Sequence, residues 1–516
     1  MRKLISQSRF YYNQIKMILS GILIGALSGT VVAMFRFIIQ GLTEFMTKLL
    51  GLAKHDFKLV LVALVIVVTI GLIGGKLLSD VPDIKGSGIP QVEGQLQGLV
   101  EFPFWPVLWR KFVAGSLAIG SGLYLGREGP SIQLGSTVGQ GVAKLTNQVG
   151  TDRKVLISSG AAAGLSAAFN APIASTMFVL EEIYHNFSTN IWVVSLSASI
   201  TADFVATYAF GLKPVLYMPS SPLPLNYFPL AILLGIVLGV LGRAYQFVIL
   251  NINVAYDWIN KINPKLRPYA GIIPLVCLIP LGMYLPILMG GGSRVILSLP
   301  TGSYSVIAIL GFLIVRFFVS IFNYGSSLPG GIFLPILCLG ALIGAVVGKI
   351  LIMVGLVSPH YFSSFVIMGM AGYFAGISKA PFTAILLITE MVGSLTHMLG
   401  LAVVSLVAYI VVDVLRGGPV YADMLDAMMK VDTQEFIGRT SEIIQTVFVG
   451  ANADGRKVKD IKWPKGALIT KVKRNGHEFI PTGDMLIMAG DTMFVNVADK
   501  NRYQLTKELQ KIATKK

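Results

Sequence analysis

Apolar residues in this chain fall in long unbroken blocks rather than in the two- or 3.6-residue rhythm of half-buried elements. Leu59–Leu78 and Leu223–Leu241 each supply about the 20 apolar residues that a helix needs to cross the hydrocarbon core. The blocks stop after Arg416, and Gly417–Arg439 reads as a polar connector. Beyond it the rhythm shortens. Ala467–Arg474 and Met485–Met488 read as strands, separated by the turn pairs Asn475-Gly476 and Gly490-Asp491. The pattern predicts an all-α polytopic membrane part followed by a small α+β domain.

Composition agrees. The 516 residues are 54% hydrophobic and only 13% charged, against about 25% charged in soluble domains. Met1–Lys16 carries Arg2, Lys3, Arg9 and Lys16, no acid, and no small-residue cleavage site after it, which predicts a cytoplasmic tail rather than a signal peptide. The net charge of +16 is spread over loops and a basic C-terminus, as expected of a cytoplasmic face, and it indicates no nucleic-acid partner. Cys277 and Cys338 lie in apolar runs without metal-ligand spacing, so they read as packing residues and no metal site is expected.

Charge placement changes the picture further, because charge is costly in a bilayer. Asp257 and Glu390 bracket a stretch, 258–389, without a single Asp or Glu. It holds the cations Lys261, Lys265, Arg267, Arg294, Arg316, Lys349 and Lys379. Acidic rings concentrate cations, whereas basic groups and backbone donors concentrate anions. The distribution favours an anion over a cation. Thr137-Val138-Gly139-Gln140-Gly141 mimics a potassium filter, but the tyrosine is absent and Gly139 belongs to a repeat described next.

Three loops place small residues just ahead of a proline: Gly86-Ser87-Gly88-Ile89-Pro90, Gly126-Arg127-Glu128-Gly129-Pro130 and Gly330-Gly331-Ile332-Phe333-Leu334-Pro335. Glycine bends the backbone tightly, and proline is favoured at a first helical position. A helix start presents unpaired N–H donors and a partial positive charge, so each loop suits a small anion. Two frames recur. Pro130-x3-Leu134-Gly135-x3-Gly139 returns as Pro335-x3-Leu339-Gly340-x3-Gly344, and Ala171-Pro172-x8-Glu181 returns as Ala380-Pro381-x8-Glu390. Duplicated halves with Gly/Pro breaks at matching places point to a site near the bilayer midplane.

These loops resemble the signatures of the CLC family of chloride channels and chloride/proton antiporters, in order and spacing, as does Gly160–Ile173. The resemblance covers residues 17–425. It implies two inverted repeats of tilted, broken helices, and a homodimer with one pathway per subunit. It also implies that Gly86 and Ser87, the amides of Ile332 and Phe333, and the Tyr421 phenol hold the central chloride.

Glu128 sits inside one of the loops, where its carboxylate can imitate a bound anion, and protonation would release it. The resemblance gives it the role of external gating glutamate. Glu182 matches the internal proton-transfer glutamate of the family's antiporters, which channel members commonly lack. Its apolar neighbours Phe178-Val179-Leu180 suit a carboxylate that takes up and releases protons near neutrality. Exchange of chloride for protons is therefore expected, with a passive voltage- or proton-gated chloride channel as the alternative. GSGIP and GREGP are kept intact, which favours chloride over fluoride.

Residues 440–516 resemble the C-terminal regulatory domain of potassium-transport proteins, where most CLC relatives with a cytoplasmic domain carry CBS pairs. From Asp432 onward 15 basic residues face 10 acidic ones, which suits an anionic ligand such as a cyclic dinucleotide. A solubilising or dimer-holding module is the other reading. The expected organisation is a tail at 1–16, a membrane domain at 17–425, a linker at 426–439 and a regulatory domain at 440–516. With no Gly-x-Ser-x-Gly elbow and no His-Glu-x-x-His, no enzyme activity is expected. No cofactor is expected beside chloride as transported ligand. The chain is placed in a plasma membrane, multi-pass, with both termini cytoplasmic and lipid as its other contact.

Overall fold

The computed structural model describes residues 2–185, 187–432, 440–474, 477–498 and 502–514. The first half contains α1 (Arg2–Ala53), α2 (Phe57–Asp80), α3 (Ile89–Gln97), α4 (Phe104–Gly120), α5 (Glu128–Leu145), α6 (Gly150–Phe169), α7 (Pro172–Phe178) and α8 (Thr189–Phe210). The second contains α9 (Phe228–Leu250), α10 (Asp257–Ile262), α11 (Ile272–Tyr284), α12 (Ser293–Ser298), α13 (Val306–Gly325), α14 (Phe333–Met353), α15 (Phe362–Ser378), α16 (Pro381–Val392), α17 (Met398–Val414) and α18 (Val420–Asp432). Among the described residues, nine helical segments are long and apolar enough to cross a membrane.

The apolar blocks became helices with shifted ends. The block at Leu223–Leu241 starts its helix only at Phe228 and runs on to Leu250. Pro224 explains the delay: it disfavours helical angles at Leu223, is itself extended with ψ at 151°, and leads into a 3-10 turn at Leu225–Tyr227, after which Pro229 sits within the first helical turn. The connector at Gly417–Arg439 contains α18, and residues 433–439 lie outside the described set. The 16/17 and 425/426 boundaries fall inside α1 and α18.

The duplicated frames mark where helices cross at closest approach. A Cβ on Gly135 would strike the carbonyl of Gly160, one on Gly160 the carbonyl of Gly135, and one on Gly164 the carbonyl of Ser131. The second half repeats this contact: Gly340 and Gly369 each abut the other's carbonyl, and Gly344 abuts that of Phe365. Only glycine permits backbones this close, so α5/α6 and α14/α15 pack as tight pairs. These pairs form the interior. The membrane-length window on α15 is 83% buried, against 28% on α2 and α13.

The halves also interlock. The Glu181 carboxylate accepts from Phe382 N (3.2 Å), Thr383 N (2.7 Å) and Thr383 Oγ1 (2.8 Å) at the start of α16. Its repeat mate Glu390 accepts from Ile173 N (3.2 Å) and Ala174 N (2.8 Å) at the start of α7. Each half thus caps a helix of the other, the reciprocity expected of halves related by a two-fold axis.

The C-terminal domain is a four-stranded antiparallel sheet in the order β1-β4-β2-β3, with strands β1 (Thr440–Thr446), β2 (Ala467–Arg474), β3 (His477–Phe479) and β4 (Thr492–Ala498). Helix α19 (Arg502–Ala513) brings Leu505 and Leu509 onto Ile443, Val472 and Val495. Met485–Met488 is not a strand: only Leu486 pairs, with Lys457. Its backbone is claimed by the loop 453–459, since Val458 N donates to Met485 O and Gly455 N to Ile487 O. The Gly490 turn is present, with φ at 89°, while Asn475-Gly476 lies outside the described residues. The domain touches the start of α6, where Thr151 Oγ1 lies 2.9 Å from Thr446 Oγ1.

Candidate anion and proton pathway

The three glycine loops converge. Gly126 and Gly331 exchange two backbone hydrogen bonds of 2.7 Å, which sets the starts of α5 and α14 against each other. Gly86 N donates to Ser327 O (3.1 Å) and Gly330 N to Gly86 O (3.0 Å), which ties the first loop to the third. Gly86 and Gly88 adopt φ of 57° and 91°, angles that side chains resist. A Cβ on Gly129 would fall on the Ser87 hydroxyl, so glycine there lets the start of α5 reach Ser87.

Pro130 and Pro335 occupy the third helical position, not the first. This costs nothing, because the first four N–H groups of a helix have no partner within it. The consequence is that Glu128 and Phe333 are themselves the first residues of α5 and α14.

Lys111 and Arg316, at equivalent places on α4 and α13, hold the loops from behind. Lys111 Nζ donates to Ile84 O (2.9 Å) and Gly86 O (2.8 Å); Arg316 Nη1 donates to Leu288 O (2.9 Å) and Gly290 O (2.7 Å). Both side chains are buried. Sequence reasoning counted Arg316 among the cations of the acid-free stretch and passed over Lys111. A shared position in the repeat was the signal available.

Glu128 is wholly buried, and neither carboxylate oxygen makes a well-formed hydrogen bond within the protein. The donors nearest it are the backbone N–H groups of Glu128 itself and of Leu334. No ion pair joins it to Arg127, whose Nη2 points to Ala168 O (3.4 Å). Ser87 Oγ and Tyr421 Oη are likewise buried without a protein partner. Ile332 and Phe333 are buried beside them. The Phe333 ring packs on Phe169 (5.4 Å), Phe178 (5.6 Å) and Phe374 (4.5 Å), and Phe178 meets Tyr421 edge-on at 6.3 Å. Tyr421 is the second residue of α18 and has both Glu128 and Glu182 as electrostatic neighbours.

Glu182 lies on a π-helical turn, Val179–Ile183, that follows α7. The extra residue in such a turn redirects successive side chains. Here Glu181 turns outward to cap α16 while Glu182 turns inward, 2% exposed, with Oε1 unpartnered. The sequence pointed to Glu182 but not to the turn or the capping role of Glu181.

Ser87, Glu128, Glu182 and Tyr421 each carry a buried polar atom without a protein partner. Such a cluster has the donors to hold an anion and the carboxylates to hold protons. The fold and this cluster define a multi-pass membrane protein of two interlocked halves whose broken helices meet at shared backbone donors.

The chain belongs to the voltage-gated chloride channel family, which it matches over residues 70–413, and it carries a TrkA-C domain over 445–510. It is 34% identical over 421 residues to the H(+)/Cl(-) exchange transporter ClcA of Vibrio campbellii, covering 80% of this chain and 89% of that protein. Against the same-named transporter of Vibrio parahaemolyticus it is 35% identical over 421 residues, covering 80% and 89%. Among solved structures, a slow cyanobacterial Cl−/H+ antiporter superposes with a TM-score of 0.75 at 28% identity, over 80% of this chain and 98% of that one. A CLC-type fluoride/proton antiporter shares the fold (TM-score 0.64, 22% identity, 78% and 96% covered).

Proposed function

We propose that this chain exchanges chloride for protons across a membrane. Backbone donors at the starts of α5 and α14, with the Ser87 and Tyr421 hydroxyls, form the seat of the anion. The observation that carries the reading is the position of Glu128, a buried carboxylate among helix-start N–H groups without a well-formed bond. A halide and this carboxylate compete for the same donors; protonation neutralises the carboxylate, weakens its hold and opens the seat. Glu182 supplies protons from the other side, with Tyr421 an electrostatic neighbour of both glutamates. The names of the transporters it resembles support the same assignment. The work is ion coordination and proton binding, with no covalent chemistry and no cofactor.

The chain is a multi-pass membrane protein; we place it in the plasma membrane as a homodimer with both termini cytoplasmic. The TrkA-C domain is read as regulatory, its excess of basic residues suiting an anionic ligand such as a cyclic dinucleotide.

The test is proton uptake driven by a chloride gradient in liposomes. Wild type should acidify or alkalinise the lumen as chloride moves, and Glu182→Gln should cut proton flux about tenfold or more while chloride still moves. Chloride flux in wild type without any proton movement would replace this reading with passive conduction.

A further inference from the structure

A second buried carboxylate, Glu93, lies beside Glu182. Glu93, on α3, is 1% exposed, and its Oε2 has no partner. Its Oε1 accepts from Gln97 Nε2 at 3.0 Å and lies 3.5 Å from Nε2 of His185, a ring 45% exposed. Glu93 and Glu182 are electrostatic neighbours, and Glu182 Oε1 is also unpartnered.

The protonation of this pair follows from hydrogen-bond geometry. His185 Nδ1 lies 2.9 Å from the carbonyl oxygen of Glu181. A carbonyl only accepts, so Nδ1 carries a hydrogen and donates it. In a neutral ring Nε2 is then a bare lone pair, and against a carboxylate oxygen two lone pairs would face each other. The contact is attractive only with one proton between the groups, as imidazolium with carboxylate or imidazole with carboxylic acid. The site is thus built around a single mobile proton. One end, the imidazole, reaches solvent, and the other, Glu93, faces the interior through Oε2.

We propose that Glu93 and His185 form a proton-loading pair that collects protons from the solution and delivers them to Glu182, an inference that rests on the proton-transfer reading of Glu182. A hydronium ion from the solution gives its proton to His185 Nε2 and leaves as water. The Nε2–H bond breaks as an O–H bond forms on Glu93, and the imidazole returns to neutral. Glu93 then passes a proton from its carboxyl to Glu182 and becomes a carboxylate again, ready for the next transfer. No other reactant is needed. The groups that face the pair are Glu181 and Glu182 from the π turn, Gln97 from α3 and Asp426 from α18. Asp426 lies 3.4 Å from Lys507 of α19, so the pair opens toward the end of the membrane domain that carries the C-terminal domain. This proton relay was not legible in the sequence because His185 lies 92 positions from Glu93.

The experiment uses the full chain in liposomes, with chloride and proton flux recorded separately across bath pH. His185→Gln and Glu93→Gln should keep chloride flux and lower proton flux about three- to tenfold. His185→Ala should regain proton flux when free imidazole is added to the bath, a rescue that a purely structural role cannot produce. The half-point of proton flux against pH should move only when the bath on the His185 side is titrated. If both single variants keep wild-type proton flux and pH profile, the pair is overturned, whatever Glu182→Gln does. Loss of coupling in Glu182→Gln alone keeps the Glu182 reading and sinks the pair; loss in Glu93→Gln with normal Glu182→Gln overturns the Glu182 reading and, with it, delivery from the pair to Glu182. If Glu93→Gln also stops chloride, the imidazole rescue of His185→Ala decides alone, and its failure overturns the proposal.

Discussion

Replacing Tyr421 by phenylalanine isolates one donor of the proposed anion seat. The ring stays, and with it the edge-on contact to Phe178 at 6.3 Å, so packing is preserved. Only Oη is lost, and it makes no hydrogen bond to the protein. The fold therefore should not weaken, since no intramolecular bond is broken and an unpaired buried hydroxyl is removed. Chloride affinity should fall instead. A hydrogen bond to a charged group contributes about 1.5–3 kcal/mol, which corresponds to roughly a 10- to 150-fold rise in Kd. Calorimetric titration of the purified protein with chloride measures it, with the thermal midpoint recorded alongside. A Kd within about twofold of wild type at unchanged Tm would refute the placement of the phenol against the anion. A fallen Tm with unchanged Kd would mean that the hydroxyl serves packing.

Three further outcomes are expected. Gly160→Ala drives a methyl into the carbonyl of Gly135 at the α5/α6 crossing, and should cost about 1–3 kcal/mol, seen as a lower midpoint of aggregation in heated, detergent-solubilised protein. Glu390→Ala removes the acceptor of Ile173 N and Ala174 N and should cost about 0.5–2 kcal/mol by the same assay, with Glu181→Ala behaving alike because the two caps are repeat mates. Asp491→Ala strips Arg474 and Met488 N of a buried acceptor in the C-terminal domain; the carboxylate is 1% exposed and bound by Arg474 at 2.6–2.7 Å. That domain should lose about 1–3 kcal/mol and be cleaved faster in limited proteolysis of the full chain while chloride flux persists.

The candidate site was readable where chemistry has to be written into residue type. Tight loops demand glycine, helix starts admit proline, and a buried acid must be spelled out as Glu128 or Glu182, so these appear in order along the chain. The glycines of the duplicated frames were equally visible, and their purpose, the α5/α6 and α14/α15 crossings, matched the requirement for close backbones. The roles of Lys111, Arg316 and Glu181 were not legible because each acts on the backbone of a distant segment, and a carbonyl or amide partner leaves no trace in residue identity. The strand expected at Met485–Met488 failed for the same reason: its apolar run was real, but loop 453–459 took its hydrogen bonds.

By itself, then, the order of residues determined a membrane protein of two related halves, the loops that suit an anion and the acids that suit a proton. Only the tertiary structure decided which groups meet: Gly126 with Gly331, Glu128 over Leu334, Glu93 with His185, and each half's glutamate on the other half's helix. The reason is physical. Local sequence sets what a backbone segment can do on its own, whereas a buried polar group is satisfied by whatever the packing of apolar surfaces brings within about 3 Å of it.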